Sequence, residues 1–255
     1  MLLFVSLIIC CGNDGSSPSE PYEGLDSLVY IVLDTLYHDT LAFTQGLEIH
    51  DGVLWEGTGM WGHSSLRRLD PEDGTLLEKY PLPDSLFGEG ITVLSDRILH
   101  LTWRSGIVLQ WSLDSLQIDT AGTIDTEGWG ICSISDSIIA VSDGSEMIRF
   151  RRTDDLSEIR SIEVTLRGEP QFLLNELEYH DGRIFSNVWS SGLVLRIDPA
   201  TGNVDGIVNF EGILTQEERL EAQVLNGIAW DPARNAFIIT GKYWPKMFVV
   251  SLIPV

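Results

Sequence analysis

The chain has 255 residues, with 16 basic against 38 acidic side chains and a formal net charge of −22. That balance excludes a nucleic-acid binder, which needs a basic footprint, and argues equally against docking on anionic lipid. With 44% apolar residues the chain can bury a sizeable core, so wholesale disorder is excluded as well. Eight Trp and only three Lys (Lys79, Lys242 and Lys246) stand out.

The first eleven residues, MLLFVSLIICC, are almost wholly apolar. The run falls short of the about 20 residues a spanning helix needs and has the length of the apolar core of an export signal. A Cys directly after such a run, followed by GNDGSSPSEP, resembles a bacterial lipoprotein signal: a lipid-carrying Cys, then a polar tether. Cys11 suits that pattern better than Cys10, because the residue before it is small. The absence of Lys or Arg ahead of the run departs from it, and an ordinary cleaved secretory signal is the other reading. The expected division is a signal-like segment over 1–11, a flexible linker over 12–24 and a folded domain over 25–255. The resemblance implies a bacterial cell-envelope lipoprotein, periplasmic or surface, that meets the membrane only through its lipid; without lipidation the chain is secreted. Cys132, alone in the folded part, reads as a small buried apolar residue.

Beyond residue 25, turn signals are dense: Asp51-Gly52, Asp73-Gly74, Asp143-Gly144, Asp181-Gly182 and Thr201-Gly202. Short β-rich runs lie between them, starting with Leu28 to Leu36, and only Thr215 to Gln223 looks helical. Many short strands at regular spacing predict an all-β fold. The strands also repeat as a group. Gln45-Gly46, Glu89-Gly90, Trp129-Gly130, Asn175-Glu176 and Asn226-Gly227 each open a copy, 40 to 51 residues apart. Each is followed by a turn and a strand ending at a second marker, among them Trp103, Trp189 and Lys242. A repeat of that length with about four strands is the signature of a propeller blade. Five copies fill residues 40 to 255, and the last lacks a strand that Leu28 to Leu36 would supply. The expected fold is a five-bladed β-propeller closed by an N-terminal strand, which removes free sheet edges.

Equivalent positions in a propeller ring the axis at one height, so unlike polar and aromatic groups there converge on a pocket. Trp103, Trp129 and Trp189 sit at these markers and are expected to wall it. Trp55, Trp61, Trp111 and Trp230 are expected in blade cores. Glu89 lies between Gly88 and Gly90, as a positioned carboxylate would. The five His show no ligand spacing and no CxxC, GxSxG or Walker motif occurs.

The ordered strings name a family. Phe43-Thr44-Gln45-Gly46, Phe87-Gly88-Glu89-Gly90, Leu101-Thr102-Trp103, Gly128-Trp129-Gly130, Asn175-Glu176-Leu177-Glu178-Tyr179, Asn187-Val188-Trp189, Leu225-Asn226-Gly227-Ile228-Ala229 and Thr240-Gly241-Lys242 resemble the plant- and bacterial-type glutaminyl-peptide cyclotransferases. Departures are small: Cys132 stands where Thr is common, and Glu56-Gly57-Thr58-Gly59 where Ser is usual at the second position. The resemblance implies a five-bladed propeller that turns N-terminal Gln of peptides or proteins into pyroglutamate with loss of ammonia. It implies Glu89 as the proton-transferring group and Phe43, Gln45, Phe87, Trp103, Trp129, Asn175, Trp189 and Lys242 as pocket residues. It implies no catalytic cofactor or metal, leaves room for a structural cation held by channel carbonyls, and suggests a monomer.

The reaction joins two groups of one residue, the α-amine and the γ-carboxamide, so holding one rotamer already supplies several kcal/mol. A carboxylate must move a proton from the amine to the leaving nitrogen, and the oxyanion needs donors. An indole N–H of Trp103, Trp129 or Trp189 or a backbone N–H is the favoured donor; Lys242 is a further candidate and could instead position Glu89 or the peptide carbonyl. Gln45 and Asn175 would read carboxamide and amine. The competing readings are a non-enzymatic propeller binding peptide or carbohydrate between Trp walls, and a propeller hydrolase using a channel metal.

Overall fold

The computed structural model describes residues 25–254; the segments 1–11 and 12–24, with Cys10 and Cys11, lie outside the described residues, as does residue 255. The described chain is all-β and propeller-like. After β1 (Asp26–Tyr37) come three four-stranded antiparallel sheets. The first is β2 (Thr44–His50), β3 (Val53–Thr58), β4 (Ser65–Leu69) and β5 (Leu76–Pro81). The second is β6 (Gly88–Val93), β7 (Arg97–Thr102), β8 (Ile107–Ser112) and β9 (Ile118–Thr123). The third is β10 (Ile131–Ser135), β11 (Ile138–Ser142), β12 (Met147–Arg152) and β13 (Glu158–Glu163). A short hairpin, β14 (Thr165–Leu166) and β15 (Glu169–Pro170), leads into β16 (Leu174–His180), β17 (Arg183–Val188), β18 (Leu193–Ile197) and β19 (Val204–Asn209). These four share an eight-stranded sheet with β1, β22 (Lys246–Pro254), β21 (Ala236–Gly241) and β20 (Leu225–Asp231), in that order.

The strand expected at Leu28 to Leu36 is β1. It pairs antiparallel with the C-terminal β22 and, over Asp26 to Leu28, parallel with β19. The helix expected at Thr215 to Gln223 is not there. Only Glu218–Leu220 makes a 3₁₀ turn, and none of its residues is buried. The segment has no apolar stripe to dock, since Leu220 is 78% exposed, so nothing stabilises more than one turn. Asp51-Gly52 and Asp181-Gly182 close two-residue hairpins with both residues at positive φ, the geometry that matches strand twist.

The core is five apolar layers among the described residues, four of them between different sheets and one between the β16–β19 and β20–β22 parts of the eight-stranded sheet. Trp55 and Leu66 meet Ile98 and Trp111; Leu101 meets Ile131 and Val141; Ala140 and Phe150 meet Leu174; Phe185 meets Ile228; and Leu47 meets Ala229 and Ile238. Trp55 and Trp111 are core as expected, and Trp230 is half-buried, stacked on His180 at 3.6 Å. Trp61 is not core: it is 52% exposed, in the turn after β3, edge-on to Phe87 at 5.6 Å. Cys132 is buried, and burial pushes its thiol well above the ordinary value, with Glu178, Glu48 and Glu176 adding to the rise.

The repeated glycines follow from how the innermost strands approach. A Cβ at Gly90 would fall 2.8 Å from the Trp129 carbonyl oxygen, and one at Gly130 only 2.0 Å from that of Asn175. Backbone packs on backbone there, so a side chain is excluded. The fourth copy has Glu176 at this position. Its carboxyl accepts N–H groups of Leu47 at 3.2 Å and Ile228 at 2.9 Å, tying β16 to β2 and β20. A second tie joins the end of β1. His38 is buried, bonds Glu56 at 2.9 Å through Nε2 and meets the Trp244 carbonyl at 2.8 Å through Nδ1. Thr44 donates to the same Glu56 oxygen at 2.6 Å.

Candidate active site

The register explains how the site residues are aimed. In four innermost strands the pairing slips near the start: between Thr44 and Gly46, Gly88 and Ile91, Leu174 and Leu177, and Leu225 and Ile228. The residues inside the slips include Gln45, Glu89, Asn175 and Asn226. A bulge leaves such a residue out of the ladder and re-aims its side chain. The partner strand ends beside each slip, because Gly88 pairs with Thr102, Leu174 with Val188 and Leu225 with Gly241. Trp103, Trp189 and Lys242 are the next residues along.

These positions meet in one cavity of about 260 Å³. Its lining is aromatic (Phe43, Phe87, Trp103, Trp129 and Trp189) with four polar groups, Gln45, Glu89, Asn175 and Lys242. All nine residues expected at the pocket therefore line one cavity. Larger hollows exist elsewhere. One of about 550 Å³ has its arginines already paired, Arg183 and Arg196 both to Asp205, and one of about 830 Å³ beside Ser190 and Trp244 has no buried acid–base group. Neither matches the small cavity in chemistry.

Glu89 is 4% exposed. Burial holds its carboxyl well above the ordinary 4.5; Lys242 pulls it down and Glu127 pushes it up. Lys242 is pushed down to about 8 by burial, opposed by Glu89. Its ammonium lies 4.5 Å from the centre of the Phe43 ring, which favours the cation. His100, fully buried on β7, is pushed to about 3 by burial, so it is neutral.

Two amide orientations follow from their neighbours. Asn226 Nδ2 donates to the Thr44 carbonyl at 3.1 Å and to Gln45 Oε1 at 3.0 Å. Since a carbonyl can only accept, the Asn226 amide is fixed, and Gln45 must turn its NH₂ the other way. Asn175 Oδ1 is buried with no partner, an acceptor left open. The cavity thus offers a donor at Gln45 and an acceptor at Asn175.

The Trp walls differ from expectation in one respect. Trp103 Nε1 donates to Glu127 Oε2 at 2.8 Å, and Trp129 Nε1 donates to the same oxygen at 3.0 Å. Those two indoles are occupied and do not supply the oxyanion donor. Trp189, 42% exposed, makes an edge contact with Trp129 at 5.9 Å. Sequence reasoning missed Glu127, and it used Asn226 only as a repeat marker. It also missed Tyr243, which packs its ring 5.3 Å from Phe43. Among the described residues no group of His, Cys, Asp and Glu is arranged to hold a metal ion.

Comparison with known proteins points to one family. The family model described as glutamine cyclotransferase matches residues 3–252. A glutaminyl-peptide cyclotransferase of Arabidopsis thaliana is 33% identical over 224 residues, covering 84% of this chain and 68% of the plant protein. The crystal structure of Myxococcus xanthus glutaminyl cyclase superposes with a TM-score of 0.81 at 36% identity, covering 91% of this chain and 99% of that one.

Proposed function

The chain belongs to the glutamine cyclotransferase family, and from that premise we propose how its cavity does the family's chemistry. It is a glutaminyl-peptide cyclotransferase: it converts the N-terminal Gln of peptides or proteins to pyroglutamate and releases ammonia. The observation that carries the mechanism is a buried carboxyl, Glu89, aimed by a bulge into an aromatic cavity of single-residue size.

The Gln side chain folds back between Phe87, Trp103 and Trp129, bringing its α-amine onto its γ-carbonyl. Asn175 Oδ1 accepts an N–H of the amine, and the Gln45 NH₂ donates to the carboxamide oxygen. The neutral amine attacks, a C–N bond forms, and the ring nitrogen becomes positively charged. Glu89 takes that proton as carboxylate and hands it to the amide nitrogen. The old C–N bond breaks, ammonia leaves and the carboxylate is restored. Burial helps because a carboxylate of raised pKa is a stronger base near neutral pH. Lys242 and Gln45 are the donors for the developing oxyanion. No step draws on a cofactor, and a cation held by channel carbonyls would be structural.

An ammonia-release assay tests the reading. A Gln-initiated peptide is expected to be turned over at equal rates with and without chelator, and an Asn-initiated one, which would have to close a four-membered ring, not at all. Equal turnover of both peptides, or loss of activity with chelator while the fold stays intact, would sink the mechanism.

The finer architecture is also part of the proposal. The eight-stranded sheet reads as two blades joined where β1 meets β19, which makes five blades from residue 25 onward in a single catalytic domain. The apolar layers support that count: four lie between different sheets and the fifth lies between the two halves of the eight-stranded one. The enzyme is proposed to act as a monomer. Residues 1–11 are proposed as an export signal with lipid on Cys11 or Cys10, which places the enzyme in a bacterial cell envelope. Replacing both cysteines with Ser is expected to move the full chain from the membrane fraction to the soluble one. Unchanged partitioning would remove the lipid anchor from the account.

A further inference from the structure

Glu127 sits in the turn between β9 and β10, outside the cavity lining yet joined to two of its walls. One oxygen accepts both indole N–H groups, from Trp103 at 2.8 Å and Trp129 at 3.0 Å. The other oxygen faces Arg104 Nε at 3.5 Å, and the Arg104 guanidinium lies 3.9 Å above the Trp103 ring. A wall Trp has two χ angles to fix, and a directional bond on its indole N–H sets them where ring contacts alone do not specify orientation. Two charge-assisted bonds to one carboxylate oxygen fix both rings relative to each other. The same charge pushes the Glu89 carboxyl up.

We propose that Glu127 is a positioning residue for the cyclisation: its carboxylate grips two indole walls from behind and adds a negative charge to the site that holds Glu89. The proposal rests on the function assigned above. The grip makes the slot rigid, so the substrate side chain meets preformed ring faces instead of ordering them on binding. The charge favours the protonated form of Glu89, opposing Lys242, so the proton shuttle works nearer neutral pH. The titratable or charged groups facing Glu89 are Lys242, His100 and Glu127. His100 is held neutral by burial, which leaves two opposing charges to set the balance. Arg104, 65% exposed, is the cation facing Glu127, and solvent screens it.

Two variants separate grip from charge. Glu127→Gln keeps a carbonyl oxygen that accepts indole N–H groups but loses the charge. Glu127→Ala loses both. The probe is a pyroglutamyl amide, the reaction product, which has no amine of its own to titrate. The midpoint of its pH-dependent binding is expected to move to lower pH by roughly half a unit or more in both variants. The KM for a Gln-initiated peptide is expected to stay near wild type in Glu127→Gln and to rise about tenfold in Glu127→Ala. Near-UV circular dichroism of the tryptophans is expected to change only in Glu127→Ala. An unmoved midpoint in Glu127→Gln, or unchanged KM and tryptophan signal in Glu127→Ala, would overturn the proposal. If Glu127→Ala does not fold, the midpoint in Glu127→Gln still decides. Failure of the functional reading would show separately, as a wild-type enzyme that releases no ammonia, while the tryptophan signal reads the grip without turnover.

Discussion

Glu89→Gln is expected to lower kcat/KM for a Gln-initiated peptide by about 10²–10⁴-fold, the usual worth of positioned acid–base catalysis. The substitution keeps shape and volume, so the bulge over Gly88 to Ile91 and the five aromatic rings stay in place. What it removes is a group that can accept a proton and give it back. Affinity for the pyroglutamyl product should stay within about threefold, because binding draws on the rings, Gln45 and Asn175. Stability should move the other way from activity. A carboxyl raised above its ordinary 4.5 in the folded state adds its full stability only below that value, and the contribution is lost as pH rises toward the folded pKa. Gln has no such dependence. The Tm of the variant should therefore equal or exceed wild type at about pH 8, and the gap should narrow toward about pH 4. Ammonia release at the wild-type rate would remove Glu89 from the chemistry, whatever the melts gave.

Much of this site was legible before any coordinates, and the reason is geometric. A repeat carries equivalent positions to one end of every sheet, so unlike residues at those positions, such as Gln45, Glu89 and Asn175, must converge. The spacing also required a leftover strand, and β1 is that strand. What stayed hidden depends on contacts that no spacing encodes. Glu127 lies two residues before the Trp129 marker and reads as a solvated turn carboxylate until both indoles are found bonded to it. The same bonds took away two of the donors expected for the oxyanion. Trp61 reads as a blade-core residue by type, but its place in a turn puts it beside Phe87 on the exposed side. The run Thr215 to Gln223 has helical composition, yet helix in a protein depends on an apolar face finding a partner, and here none does. The orientation of the Gln45 amide needed Asn226, 181 residues further along the chain, to be fixed.

Lys242→Met is the complementary test, with an expected fall in kcat of about 10²–10³-fold, the usual loss on removing one donor from an oxyanion site. The ammonium is buried among rings, and its attraction to Glu89 only partly offsets the cost, so it sits near 8 and loses its proton within the working range. In wild type kcat should fall above about pH 8 as that proton leaves. In Lys242→Met this alkaline fall should be absent, since no ammonium remains to titrate. Met fills a similar volume against Phe43, so KM should change by less than about tenfold. The acid side provides a second check. Lys242 pulls the Glu89 carboxyl down, so its loss should move the binding midpoint for the pyroglutamyl amide to higher pH. Glu127→Gln is expected to move the same midpoint to lower pH, and the two charges act on one carboxyl from different elements. Opposite shifts would tie both residues to Glu89. A Lys242→Met enzyme with raised KM, unchanged kcat and an intact alkaline limb would instead make Lys242 a binding group for the peptide, and leave the oxyanion to the Gln45 amide.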